Sequence, residues 1–307
     1  MRVFKNKFQM KRKQYKALIA LLFILPGLIY YLLFRYVPIW GNVIAFFDYN
    51  PYVGLTDSKF VGFKHFIYFF TSKYFWRLLR NTFLLSFYSI IFSFPLPILF
   101  ALLLSEVKFN KYRSVIQCIS YIPHFISVVV ICGILKDFLS LDHGVINEII
   151  SALGGTKINF FQDSDWFRTI YIGSDVWQGV GWSSIIYYAT LTSVDPTFYE
   201  AARLDGANRL QRIRYISLPF LKPTITVLLL MSLGKILNVG FEKVLLLQNS
   251  STYETSDIIS TYVYRMGIQQ MQLSFSTAVG FFNNVVGLSL LIVSNMISKK
   301  FSETSLW

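Results

Sequence analysis

Six stretches of the chain stay mostly apolar for about 20 residues, the length a helix needs to cross a hydrocarbon core. They cover residues 17–36, 82–104, 115–139, 169–191, 224–247 and 277–297, and predict an all-α membrane protein with six transmembrane helices. A basic leader precedes the first, with Arg2, Lys5, Lys7, Lys11, Arg12, Lys13 and Lys16 and no acidic residue. Secretory signals share that leader. This apolar run is longer than a signal core, has no small-x-small cleavage site and is followed by further spans, so it reads as an uncleaved first helix.

With the leader inside, residues 1–16, 106–113, 192–222 and 299–307 face the cytoplasm and carry 17 Lys and Arg. The segments 40–81, 140–168 and 248–276 then face outward and carry 8. That asymmetry obeys the positive-inside rule and puts both termini in the cytoplasm. No repeat, low-complexity tract or soluble-sized insertion interrupts the pattern, so 17–298 is expected to be one membrane domain between a leader, 1–16, and a tail, 299–307. Outside, 47–63 is rich in aromatics, Gly and Pro, and 145–153 reads as a short amphipathic helix stopped by Gly154 and Gly155.

Composition agrees with the pattern. The 307 residues are 54% hydrophobic and 15% charged, against about 25% charged in soluble domains. The net charge of +13 invites a nucleic-acid reading, but its basic residues are interleaved with apolar runs. The charge is therefore chiefly a topology signal, with membrane lipid and not nucleic acid as its partner.

Residues 192–222 are the most informative polar segment. Asp195 is a good N-cap and Pro196 a good first helical residue, so a helix starts there, with small Ala201 and Ala202 set among Glu200, Arg203 and Asp205. Gly206 permits a bend. An amphipathic helix over 208–217 follows, with Arg209 and Arg212 on one face and Leu210, Ile213 and Ile216 on another, and Pro219 is expected to end it. Such an element suits docking, and equally a solvated connector lying on the membrane surface.

Glu200-Ala-Ala-x-x-Asp-Gly-Ala207, followed by Ile216-x-Leu-Pro219, resembles the EAA loop of binding-protein-dependent ABC importer permeases; the spacing from Gly206 to Ile216 is kept, and Ile213 stands where many members place Phe. Pro26-Gly27, Phe60-Val-Gly-Phe63, Leu237-Asn-Val-Gly-Phe-Glu242 and Leu245-Leu-Leu-Gln-Asn249 extend the likeness over essentially the whole chain, to the carbohydrate-uptake branch and its LplB-type oligosaccharide permeases. The resemblance implies a type I importer permease in a bacterial cell membrane. It implies as partners a second homologous permease, two cytoplasmic ATPase subunits, an extracytoplasmic solute-binding protein of the lipoprotein kind, and an oligosaccharide. Coupling to the ATPases then falls to Glu200, Ala201, Ala202, Arg203, Asp205, Gly206, Ile216, Leu218 and Pro219.

Catalytic chemistry is absent. There is no phosphate-binding loop; Gly154-Gly-Thr-Lys157 lacks the spacing, so the chain is expected to bind no cofactor, with ATP and Mg on the partner ATPases. His65, His124 and His143 are scattered without metal-ligand or nucleophile spacing, which argues against an enzyme or a metal site.

Polar groups inside spans are functional candidates. Asp175, Gln178 and Trp182 share one face of the fourth span, beside Trp177, a mixture of carboxylate, amide and aromatic faces that suits sugars. Lys235, Asn238 and Glu242 follow in the fifth and Asn283 in the sixth. These residues serve either as a substrate path or as glue, Lys235 pairing with Asp175 or with a neighbouring subunit. Function therefore reads as the permease subunit of an oligosaccharide ABC importer. The alternatives are an importer for an amino acid or phosphate, and an ATPase-independent channel or membrane enzyme.

Overall fold

A computed structural model describes residues 2–233 and 240–301, and these are almost entirely helical. Four helices are long and apolar enough to cross a membrane: Leu18–Phe46, Phe75–Ser105, Arg209–Leu233 and Leu273–Met296. A fifth span is present if Asn110–Phe125 and Val128–Phe138, bent by 98° at their junction, count as one. Helix Trp166–Thr192 has 27 residues, about 40 Å at 1.5 Å per residue. Its length suffices, but Arg168, Asp175 and Gln178 make it too polar to pass as a span on composition.

Four expectations change. The first helix continues well beyond residue 36, through a π turn at Leu32–Tyr36 and a 3-10 turn at Gly41–Phe46. The stretch 47–63, expected to face outward, is not wholly irregular. It forms an antiparallel hairpin of β1 (Phe47–Asn50) and β2 (Gly54–Phe60), with Phe47 opposite Phe60 and Gly54 at φ +80° in the turn, so the all-α reading has one small exception. The third stretch is broken: Pro123 lies in a 3-10 turn, Ile126 is extended, and Ser127 caps a new helix by accepting from the Val130 N–H at 3.4 Å. Finally, Pro219 ends nothing. A π turn at Ile213–Ser217 leads into helix Leu218–Leu233, and this wider turn accommodates the donor that proline lacks.

Another π turn of this kind, Ser89–Ser93, lies inside the Phe75–Ser105 helix just before Pro95. Beyond it, Ala101 and Leu102 pack with Tyr187, Leu191 and Leu221. Leu85, Tyr171, Ile172, Val244 and Ile258 form the neighbouring core. Gly181 lies so close to the backbone of Ser120 that a Cβ would overlap its carbonyl oxygen, so these helices touch backbone to backbone. The first helix stands off from this body. Leu18 to Trp40 are exposed, Phe23 by 82%, and only the last turn, 42–46, is drawn in, with Ala45 and Phe46 packed on Phe66, Ala278 and Phe281. In water each such side chain would forgo about 1.5–3 kcal/mol of burial; lipid or a neighbouring subunit removes that penalty.

Polar networks mark the two ends of the bundle. At one, Asp257 is fully buried and bridged by Arg77 at 3.2 Å and Arg265 at 2.7 Å, while Asn81 donates to the carbonyls of Glu254 and Asp257. At the other, Glu106 meets Arg212 at 3.5 Å, beside the segment 192–222.

Candidate functional site

The segment 192–222 folds as its caps dictate. The Asp195 carboxylate accepts the Thr197 N–H at 2.9 Å and starts helix Pro196–Leu204. Hydrogen bonds from Thr197, backbone first, hold that carboxyl below the ordinary 3.8. Gly206, at φ +78°, closes the helix: its N–H reaches the Arg203 carbonyl and the Ala207 N–H that of Ala202 at 2.8 Å. Asn208 and Gln211 then form a reciprocal capping box.

Three contacts fix this helix to the next. Tyr199 and Ser217 share a hydroxyl hydrogen bond at 3.0 Å, the Phe198 and Phe220 rings lie 5.9 Å apart, and Arg212 donates to the Ala207 carbonyl at 3.0 Å while meeting Glu106. Glu200, Ala201, Arg203, Asp205 and Gly206 stay exposed, as do Leu218 and Pro219, whereas Ala202 and Ile216 are half-buried. Glu200, Arg203 and Asp205 take part in none of the ion pairs among the described residues. The segment thus presents a charged, unpaired face. Leu204, 90% exposed on the same helix, belongs to it too, and its isolation at the end of a polar helix was the available signal.

Between the Phe75–Ser105, Trp166–Thr192 and Arg209–Leu233 helices lies a cavity of 760 Å³, lined by Asp175, Trp182, Tyr171, several serines and, from the third of these helices, Leu228, Met231 and Ser232. A second cavity of 310 Å³ shares Ser93, Asp175 and Ser183 with it and adds His124 and Gln178. Asp175 stands at their common wall. Its Oδ2 accepts the Ser93 hydroxyl at 3.1 Å and its Oδ1 lies 3.7 Å from Lys243 Nζ. Lys243 is buried, 4% exposed, with its ammonium 5.3 Å from the centre of the Tyr171 ring. The Tyr171 hydroxyl accepts the N–H of Gly240, where a Cβ would crowd that oxygen.

Trp182 stacks flat on His124, centroids 4.5 Å apart and planes within 4°. The break in the third stretch brings His124 there, and Gln178 donates to the Ile126 carbonyl that the break leaves free, at 3.2 Å. Of the residues expected to line a path, Asp175, Gln178 and Trp182 thus come together, Gln178 with a structural bond as well. Trp177 and Glu242 are exposed, and Asn283 is buried in the last helix; none of the three lines either cavity. Lys235 and Asn238 lie outside the described residues. The cation found beside Asp175 is Lys243, which sequence reasoning passed over because Glu242 stands next to it in the run 241–247 and offers it a local counter-charge, whereas Lys235 has no charged neighbour in sequence.

Residues 69–303 match the family described as binding-protein-dependent transport system inner membrane component. Among curated proteins, the polygalacturonan/rhamnogalacturonan transport system permease protein YteP of Bacillus subtilis (strain 168) is 47% identical over 304 residues, covering 97% of this chain and 95% of that protein. Protein LplB of the same organism is 46% identical over 286 residues, 93% of this chain and 90% of that protein. Among solved structures, a chain of a bacterial alginate ABC transporter in complex with alginate pentasaccharide-bound periplasmic protein superposes with a TM-score of 0.88 at 43% identity, covering 96% of this chain and 98% of that chain.

Proposed function

The chain belongs to the family of binding-protein-dependent transport system inner membrane components, and from that premise we propose that it carries an oligosaccharide from an extracytoplasmic solute-binding protein into the cytoplasm. It is a multi-pass permease subunit of the type I importer fold, and not itself an enzyme. In this reading Trp166–Thr192 is a span and the broken pair is one span, which makes six. Both termini are cytoplasmic, the Glu106–Arg212 network lies inside and the Asp257 network outside. Two ATPase subunits that bind ATP and Mg seat on the Pro196–Leu204 helices of this chain and of a second, homologous permease.

One observation carries the mechanism. The helix locked to the coupling segment at Arg212 and Ser217 is the helix whose Leu228, Met231 and Ser232 wall the cavity. Closure of the ATPase dimer pushes Pro196–Leu204; the Tyr199–Ser217 bond and the Phe198–Phe220 contact pass that displacement into Arg209–Leu233, which opens or closes the cavity by rigid-body motion. Saccharide cargo is supported by the wall itself, with the Trp182 and Tyr171 rings for C–H faces and Asp175 with its serines for hydroxyls, and by relatives named for polygalacturonan and alginate transport.

Reconstituted with its partners in liposomes, the importer is expected to take up oligosaccharides and to ignore amino acids and phosphate; the reverse preference overturns the cargo assignment. Glu200→Lys reverses a charge on the docking face. Gly206→Pro demands φ near −65° where the backbone has +78°. Each is expected to abolish uptake and weaken ATPase co-purification, and normal uptake by both would refute the coupling role.

A further inference from the structure

Arg168 is a cation without a matching anion. Its guanidinium donates to the Asn81 side-chain oxygen at 3.1 Å, its Nε is buried with no hydrogen-bond partner among the described residues, and no carboxylate there comes within ion-pair distance of it. Asp165, Glu254 and the like-charged Arg80 are within electrostatic reach only. The neighbouring arginines are already matched, Arg77 and Arg265 on Asp257 and Arg80 on Glu254 at 2.7 Å. Arg168 also sits in the first turn of a long helix, where the dipole opposes a positive charge. Retaining an uncompensated, half-buried guanidinium in that place calls for an anion that comes and goes.

Its position says where that anion travels. Arg168, Tyr171, Asp175, Gln178 and Trp182 follow one another at steps of three and four residues, so they form one stripe of the Trp166–Thr192 helix. Tyr171, Asp175 and Trp182 of that stripe line the larger cavity. Arg168 stands seven residues before Asp175, about 10 Å above it along the axis. Below, Asp175 and Lys243 neutralise each other. The unpaired positive charge thus stands two helical turns from Asp175 on the stripe that walls the cavity, and the paired charges stand at the wall itself.

We propose that Arg168, held by Asn81 and backed by Arg80, receives a carboxylate of an acidic, uronate-type oligosaccharide as it enters the cavity. This rests on the saccharide-permease reading above. A guanidinium offers a carboxylate two parallel N–H donors, a match that sugar hydroxyls lack and that a lysine ammonium reproduces only as a point charge. The solved relative imports the acidic polysaccharide alginate, whose carboxylates have this chemistry.

The test uses the complete reconstituted importer with a uronate oligosaccharide and the same oligomer methyl-esterified. Arg168→Gln is expected to raise the KM for the acidic oligomer about tenfold, the loss of one charge-assisted contact, and to shift that for the ester less than twofold. Arg168→Lys should recover part of the loss, and added salt should weaken acidic uptake in the wild type more than in Arg168→Gln. Equal losses for both cargoes, in the Gln and Lys variants alike, would make Arg168 a framework residue and overturn the proposal, as would an unchanged KM. A wild type that moves neutral but not acidic oligomers overturns this inference alone; one that moves no saccharide overturns the reading beneath it.

Discussion

Asp257→Asn tests the Arg77–Asp257–Arg265 network directly, because it removes one charge and almost no volume. The wild-type carboxylate is fully buried, meets Arg265 at 2.7 Å and Arg77 at 3.2 Å, and accepts the Thr261 hydroxyl at 3.2 Å. Burial works against the charge on Arg265, but the hydrogen bonds and charge of Asp257 outweigh it and lift the guanidinium above its ordinary value. An amide leaves both arginines short of an anion, and removing one partner of a buried pair typically costs about 3–5 kcal/mol. Glu254→Gln supplies the contrast. Glu254 bridges Arg80 at 2.7 Å, yet these side chains are 62% and 50% exposed, and an exposed pair contributes about 0–1 kcal/mol. Thermal unfolding of the purified protein in one detergent, followed by tryptophan fluorescence, should show a large drop for Asp257→Asn and almost none for Glu254→Gln. Adding Arg265→Gln to Asp257→Asn should cost less than the two single changes together. Equal midpoints for the two acid variants would refute the reasoning, since burial is the main difference between the pairs.

Three further outcomes follow from the packing. Gly181→Ala pushes a methyl into the Ser120 carbonyl and is expected to destabilise by about 1–3 kcal/mol, whereas Gly173→Ala, with nothing within 4 Å of its Cβ position, is expected to be neutral in the same thermal assay. Asp175→Asn and Lys243→Met should each impair uptake more than the double variant does, because the first strands the buried Lys243 ammonium and the second leaves the half-buried Asp175 carboxylate unmatched in the cavity wall; additive losses would show that the residues act independently. Asp48, hydrogen-bonded by Lys64 at 2.8 Å and close to both Lys64 and His65, keeps its carboxyl below the ordinary 3.8. Its folded pKa is depressed, so its contribution to anchoring the hairpin is complete above 3.8 and disappears as the pH falls through the lower folded value; proteolysis of the hairpin should rise on acidification in that range, and not in Asp48→Asn.

Much of the architecture was legible because lipid imposes a simple rule on helix length. The stretches at 82–104, 224–247 and 277–297 all contain helix in the structure, and the Asp195 cap and Gly206 bend fall at their expected places. What stayed hidden depends on tertiary context. Pro123 lies at the break in the third stretch, but the apolar residues on both sides made 115–139 read as one continuous span and concealed the 98° turn. Arg77 and Asp257 pair across 180 positions, a distance at which no periodicity speaks. In the candidate path, Asp175 and Trp182 were readable from their shared face, while Tyr171, Ser93 and His124 are ordinary residues whose role comes only from what folds against them.

The π turn at Ser89–Ser93 has a consequence for how this chain tolerates length change. Such a turn holds one residue more than the α-helix around it, so it is equivalent to an insertion that the fold has kept. Deleting one residue within it would restore a regular helix and leave Pro95–Ser105 in nearly its present phase, whereas deleting one from the regular turns outside it would rotate everything beyond by about 100°. A deletion in Phe75–Tyr88 would then turn Ala101 and Leu102 away from Tyr187 and Leu191 and bring exposed neighbours such as Leu99 and Leu103 toward them. Ser93 would leave Asp175 in the same movement. In this helix, a change of length is therefore expected to be borne at the π turn and not in the regular turns before it, where the spacing between serines and alanines is as much a part of the cavity as the residues themselves.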